Sequence, residues 1–375
     1  MRFVYFTHSL VSDWNHGNAH FLRGVVRELQ ERGHEVRLFE PAGGWSRTNL
    51  LADRGPAAEA EFRRAFPHLS SETYDPASLD LDQALERADV VIVHEWNDHD
   101  LVAAIGRKRA AGGTFSLLFH DTHHRSVSDP EAMARYDLSA YDGVLAYGAV
   151  IAEIYRKAGW GRRAWVWHEA ADTALFRPLD APAGGVARGD LVWIGNWGDD
   201  ERTAELHEFL LGPVRALGLR AAVHGVRYPD EARHALAEAG IEYRGYLPNH
   251  EAPAAFARHR VTVHVPRRYY SRVLSGIPTI RPFEALACGI PLLSAPWEDS
   301  EGLFRPGQDF LFVRDGDEMT RRLRDVLSDE GLRTELIRSG LETIRARHTC
   351  GHRAEELLAV CRSLGSGASL LEEAR

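Results

Sequence analysis

The chain has 375 residues, 44% hydrophobic and 26% charged, a length that suggests two domains and a composition ordinary for a globular protein. Its formal charge of −9 argues against a general nucleic-acid binder, whose footprint is an excess of clustered Lys and Arg. Lysine occurs only at Lys108 and Lys157, so no G-x-x-x-x-G-K-[ST] loop can be written and a P-loop NTPase is excluded.

Short apolar, β-branched runs alternate with helical segments along the chain, the pattern of parallel sheets with crossover helices on both faces. Residues 3–6, 35–39, 89–94, 114–120, 143–147 and 164–168 read as strands, and residues 18–32, with Phe21, Val25, Val26 and Leu29 on one stripe, as a helix. The first strand is not a secretory signal, since the opening ten residues carry one basic residue and their apolar stretch is broken at His8. A Pro-, Gly- and Ala-rich stretch across 173–189 reads as a connector. Strands resume at 190–195, 220–225, 242–245, 261–265 and 290–294, with helices that include 202–217 and 229–239. The expected organisation is therefore an N-terminal Rossmann-like domain over 1–172, the linker 173–189, a second Rossmann-like domain over 190–350, and a C-terminal helix and tail over 351–375. Two doubly wound α/β domains of this kind are expected to face each other across a cleft, with strand C-termini and helix N-termini lining it.

No apolar run reaches the roughly 20 residues needed to span a bilayer. Cys288, Cys350 and Cys361 have neither metal-ligand spacing nor the density of a disulfide framework, which suits a reducing compartment, the cytoplasm. The basic patch Arg107-Lys-Arg109 reads as a solvated helix face, with contact to an anionic membrane surface as the alternative.

Four stretches, in order, carry a specific likeness. They are His16-Gly17-Asn18-Ala19 opening the first helix; Asp172-Thr-Ala-Leu-Phe-Arg-Pro178; Leu191-Val-Trp-Ile-Gly-Asn196 followed by Arg202; and Pro278-Thr-Ile-Arg-Pro-Phe-Glu-Ala-Leu-Ala-Cys-Gly-Ile-Pro-Leu-Leu293. Together they resemble glycosyltransferase family four, the last in the variant of the spore-maturation CgeB-like proteins. The resemblance implies a GT-B fold and transfer of a sugar from a nucleotide-sugar donor, with retained configuration, no metal and no cofactor beyond that co-substrate. The acceptor is not identified.

The resemblance also implies roles. Glu284 would hold the nucleotide ribose, with apolar neighbours that suggest burial; a solvated helix glutamate is the plain alternative. The family's second acid, eight positions earlier, is Gly276 here, and no Asp or Glu occurs between Tyr269 and Phe283, so the family's donor preference does not carry over. Arg272, Ser275 and backbone N–H groups near Gly276 would meet a diphosphate, unless the stretch is an ordinary Gly-Pro turn. Arg202 falls where the family has a phosphate-binding lysine; guanidinium offsets leaving-group charge bidentately, and the alternative is an exposed arginine paired with Glu205. Asn196 stands where a second basic residue is usual, and Arg281 is expected to compensate. Tyr246 lies in a turn that would cradle the base.

In the N-terminal domain His120 ends an apolar strand, which aims its ring at the cleft and away from the core, beside the reaction centre. The run His120-Asp-Thr-His-His-Arg125 could instead bind a metal, though zinc sites want definite ligand spacing. His94 and Glu95 end another strand and would line the acceptor pocket, with a solvated strand end as the plain reading of Glu95. His16, Gly17 and Asn18 would approach phosphate or acceptor. A nucleotide-sugar epimerase or hydrolase, and an idle nucleotide-sugar-binding protein, share this architecture. A nicotinamide-dependent dehydrogenase is remote, since G-x-G-x-x-G is absent after any strand.

Overall fold

The structure, a computed structural model, describes residues 1–180, 188–198 and 200–366. Residues 181–187 of the Pro/Gly/Ala connector, residue 199 and the tail beyond 366 lie outside the described residues. The chain forms two compact units: Met1–Glu169 together with the segment from Cys350, and Ala170–Thr349.

The first unit holds seven parallel strands: β1 (Arg2–Phe6), β2 (Glu35–Pro41), β3 (Glu72–Tyr74), β4 (Val90–His94), β5 (Ser116–Asp121), β6 (Gly143–Ala146) and β7 (Ala164–Val166). Their order is β3-β2-β1-β4-β5-β6-β7, so the winding reverses between β1 and β4, the switch point where ligands bind in such sheets. Every residue of β4 and β5 is buried, which is why these strands read as continuous apolar runs until their histidine ends. The helix Ala19–Glu31 buries Phe21, Val25, Val26 and Leu29 and is covered by the helix Cys350–Ser363. That last helix is fixed further by Trp167, whose indole Nε1 donates to the Arg353 carbonyl at 2.9 Å.

The second unit holds β8 (Gly189–Ile194), β9 (Ala221–His224), β10 (Ile241–Tyr243), β11 (His259–His264), β12 (Leu292–Ser294) and β13 (Leu311–Phe312), all parallel, in the order β10-β9-β8-β11-β12-β13. Side chains alternate across the sheet as the two-residue strand period requires. Leu191, Trp193, Val261 and Val263 join one apolar cluster, and Val192, Ile194, Phe256, Phe283 and Leu286 join the other. Phe176, fully buried in that second cluster, anchors the start of the connector, so the Asp172–Pro178 stretch is packed structure.

Three elements depart from the sequence reading. The strands β3 and β13, of three and two residues, are too short to show a period. The helix expected over 202–217 is interrupted: Thr203–Leu206 and Gly212–Leu217 are α-helical, with a wider π turn over His207–Leu211 between them. Pro213 has no N–H to give the carbonyl one turn earlier, and the helix widens where that bond is missing.

Candidate active site

In the second unit the loops after β8, β9 and β10 meet closely. Gly195 N–H donates to the His224 carbonyl at 2.8 Å and Gly225 N–H to that of Gly245 at 2.9 Å. A Cβ on Gly225 would lie 2.1 Å from the Gly195 oxygen, so only glycine allows this approach. Asn196 is half-buried and its amide oxygen accepts from Val226 N–H at 2.8 Å, a structural bond that fixes the loop. Tyr246 follows β10 and is half-buried.

Arg202 lies beneath this loop rather than on the surface. Its Nε donates to the Asn196 carbonyl at 3.1 Å, as does one terminal nitrogen, and the other donates to the Val265 carbonyl at 3.0 Å. The guanidinium sits over the Trp193 ring, 5.2 Å from its centroid. Burial, then the neighbouring charge of Arg267, brings its pKa down to about 9. The exposed Arg202–Glu205 pair considered from sequence does not form; Glu205 binds Arg268 at 3.0 Å and Arg272 at 3.9 Å. Arg202 thus ties two strand-end loops together with the donors expected to grip a phosphate.

Glu284 lies on the helix Ile280–Ala287, which starts after Thr279 in a left-handed backbone conformation at φ 60°. Its carboxylate is 0% exposed and pairs with Arg281 one turn earlier, so the solvated-glutamate alternative is overturned. Arg281 keeps 17% of its side chain exposed. Gly276 has φ 91°, and a Cβ there would come within 2.7 Å of Ser300 Oγ and 3.0 Å of Glu301 Cγ. A side chain at the position matching the family's second acid therefore requires Ser300 and Glu301 to shift and is strained by the positive φ. Ser275 is half-buried, while Arg272, 71% exposed, is held at the surface by Glu205.

Sequence reasoning missed Arg267 and His264, which flank the end of β11. Arg267 pairs with Glu201 at 2.7 Å and, with Arg281, adds to the positive field at Arg202. Both follow an apolar strand, the signal that singled out His120.

In the first unit the ends of β1, β4 and β5 gather imidazoles. His94 and His120 are register partners on adjacent strands with ring centroids 5.2 Å apart; His16 lies 6.2 Å from His94, and His8 lies 4.9 Å from His16. Burial holds His120 down at about 3 and His8 at about 4, and keeps His94 and His16 well below the ordinary histidine value. All four are neutral at physiological pH. Thr122 Oγ1 lies 3.2 Å from His94 Nε2. Among the described residues, His16 Nε2, His94 Nδ1, His120 Nε2 and Asn18 Nδ2 are buried without a hydrogen-bond partner. Asn18 precedes the first turn of the helix Ala19–Glu31, and Gly17 beside it is exposed.

The exposure expected for His120 is corrected. Its ring is 4% exposed, edge-on to Trp167 at 4.8 Å and tilted against Phe21 at 6.1 Å, because the apolar face of the first helix closes over the strand end. Glu95 is not a solvated strand end either. It is 0% exposed, as is Asp121, and the two carboxyls lie beside each other. Burial first, then the charge of Asp121, pushes Glu95 well above the usual carboxylate range, and burial raises Asp121 too. A shared proton relieves two neighbouring carboxylates that cannot both ionise cheaply. Among the described residues no three His, Cys, Asp or Glu side chains are arranged to hold a metal ion.

The two units also match known proteins separately. Residues 17–175 match the family model described as Glycosyltransferase Family 4, and residues 202–359 the one described as Glycosyl transferase-like. The chain is a glycosyltransferase of the GT-B fold. No curated protein matches it by sequence. Among solved structures, this glycosyltransferase is similar to Anabaena Alr3699/HepE in complex with UDP and glucose, at 14% identity and a TM-score of 0.68, over 97% of this chain and 100% of that one. It is similar to sucrose-phosphate synthase from Thermosynechococcus elongatus, at 14% identity and 0.66, over 97% and 99%. It also resembles T4 phage BGT in complex with its UDP-glucose substrate, at 12% identity and 0.61, over 96% and 99%. Likeness at these identities speaks for the fold, and no described helix is long and apolar enough to cross a membrane.

Proposed function

We propose that this glycosyltransferase binds a nucleoside-diphosphate sugar in its second unit and transfers the sugar to an acceptor hydroxyl, retaining configuration and using no bound metal. The observation that carries the reading is Glu284, a wholly buried carboxylate paired with Arg281 in the stretch that resembles the CgeB-like variant of the family. A carboxylate in such a place can accept from both vicinal hydroxyls of a ribose. Arg267 and Arg281 add to the positive field at Arg202, and Arg202 and Arg281 to that at His264, and a preorganised field of that sign favours the charge that grows on a departing diphosphate. That supports catalysis without a divalent cation.

The imidazoles of His16, His94 and His120 in the first unit are assigned to the acceptor. Each is neutral, so each offers one donor and one acceptor nitrogen to a hydroxyl, and a neutral imidazole is the form able to take a proton. Glu95 follows His94 at the end of β4 and is buried beside Asp121. The three buried cysteines, which form no disulfide among the described residues, agree with a cytoplasmic enzyme.

The test is a thermal-shift panel of nucleoside diphosphates and nucleotide sugars, followed by assay of diphosphate release. A ligand at 100 times its dissociation constant stabilises the fold by about 2.7 kcal/mol. Release that requires an added acceptor supports transfer. Release without one points to hydrolysis, and stabilisation by no nucleotide overturns the donor-site reading.

A further inference from the structure

The end of β11 holds a polar atom whose role the donor-site residues leave open. His264 is 3% exposed, and its Nδ1 lies 2.9 Å from Ser294 Oγ. The Ser294 hydroxyl lies 2.9 Å from the Ala295 carbonyl, to which it can only donate, and with its single proton there it accepts from His264. Nδ1 therefore carries the proton, and Nε2 is left as a bare acceptor.

That acceptor is buried and, among the described residues, has no hydrogen-bond partner. The guanidiniums of Arg202 and Arg281 lie close enough to depress its pKa further, after burial has done most of the work; it falls to about 3. The imidazole thus stays neutral beside the positive field, and its lone pair is a permanent feature of the site. A second atom complements it. Trp297, 7% exposed, stands edge-on to His264 with centroids 6.2 Å apart, and its Nε1–H is also buried without a partner among the described residues. One orphaned acceptor and one orphaned donor on neighbouring rings are costly in the empty protein and satisfied together by a group that both donates and accepts.

We infer that His264 and Trp297 read one hydroxyl of the transferred sugar, which donates to His264 Nε2 and accepts from Trp297 Nε1. A phosphate cannot be this group, because its oxygens would face a lone pair. Glu284 is already assigned to the ribose, and the base lies one sugar further from the diphosphate-binding arginines. The inference rests on the reading of the second unit as a nucleotide-sugar site.

The test compares His264→Phe and Trp297→Phe, each of which keeps an aromatic ring; the first removes both imidazole nitrogens, Nδ1 with its Ser294 bond included, and the second removes the indole N–H alone. UDP, GDP, UDP-glucose, UDP-N-acetylglucosamine and GDP-mannose are screened on the unsubstituted protein, and the best diphosphate and best nucleotide sugar are titrated by calorimetry into the variants. Each variant is expected to keep diphosphate affinity within about 2-fold and lose roughly 3- to 10-fold for the nucleotide sugar, the range of one neutral hydrogen bond. The double variant is expected to lose less than the product of the single losses, because both atoms serve one hydroxyl. The unliganded unfolding temperature should hold or rise for Trp297→Phe, whose removed atom has no partner among the described residues, and fall for His264→Phe, which also gives up the Nδ1–Ser294 bond. Equal losses for diphosphate and nucleotide sugar would move the contact to ribose or base and overturn the inference, as would unchanged affinity for both. His264→Asn, read in the same way, serves if the phenylalanine variant does not fold. If no nucleotide stabilises even the unsubstituted protein, the donor-site reading fails first, and this inference falls with it.

Discussion

Arg281 and Glu284 stand one helical turn apart as an ion pair whose carboxylate is wholly buried, while the guanidinium keeps 17% of its side chain in solvent. The pair gives the buried Glu284 carboxylate a charged partner. We expect Glu284→Gln to fold and to weaken nucleoside-diphosphate binding by about 1.5–3 kcal/mol, the worth of a charged hydrogen bond. Calorimetry decides it, and unchanged affinity removes Glu284 from the site.

Arg202 spends its donors on the carbonyls of Asn196 and Val265, so its removal should cost both catalysis and fold. Arg202→Ala is expected to lower turnover more than nucleotide affinity, because leaving-group charge grows toward the transition state, and also to lower the unfolding temperature. Arg202→Lys, which keeps the charge but not the fork, should recover part of the turnover while unfolding at the lower temperature. Equal losses in turnover and affinity for the alanine variant would mark a ground-state anchor instead.

His120→Ala should reduce turnover on the order of 10²-fold, the low end of what a positioned polar or acid–base group contributes, with diphosphate binding intact. His123 and His124 follow the strand end, and replacing either should matter less. A metal site would give three comparable losses and inhibition by a chelator, so those two measurements separate the readings.

Glu95 and Asp121 make a prediction about stability and pH. A carboxyl whose folded pKa is raised contributes stability that is fully present below the unfolded value, near 4.3, and is lost as pH rises through the folded value. Ionising the Glu95–Asp121 pair therefore penalises the native state on the neutral side. Glu95→Gln removes that penalty, and the variant's unfolding temperature minus that of the unsubstituted protein should grow between about pH 4.5 and 7.5. The buried histidines, with depressed values, titrate in both proteins and cancel in the difference. A difference that is flat or shrinks with rising pH would place the shared proton elsewhere.

Gly276→Asp would restore an acid at the family's second position, yet it should destabilise the protein. A Cβ there requires Ser300 and Glu301 to shift, and the left-handed backbone alone costs roughly 1–2 kcal/mol for a residue with a side chain. Thermal unfolding of Gly276→Ala and Gly276→Asp checks this; equal stability would mean that the loop refolds around the new side chain.

The alternation of apolar strands and amphipathic helices was legible in the sequence, because strand and helix periods are local and every residue of β4 and β5 is buried in a two-sided parallel sheet. Glu284 was legible for the same reason: a single carboxylate inside an apolar helix stripe declares its burial. The short strands β3 and β13 and the π turn before Pro213 were not, since two or three residues carry no period and a helix interruption is a bond that fails to form.

What the sequence determined by itself is the class of fold and the set of polar residues that end its strands. Tertiary structure alone decided what those residues do to one another. It turned His120 against Trp167 and Phe21, set Glu95 beside Asp121, spent Arg202 on two carbonyls, and left His264 Nε2 and Trp297 Nε1 without partners. The physical reason is separation along the chain. Strand periodicity is written in neighbours, whereas a pKa or an unmet hydrogen bond depends on groups as far apart as Glu95 and Asp121, or His264 and Trp297, which only the packed sheet brings together.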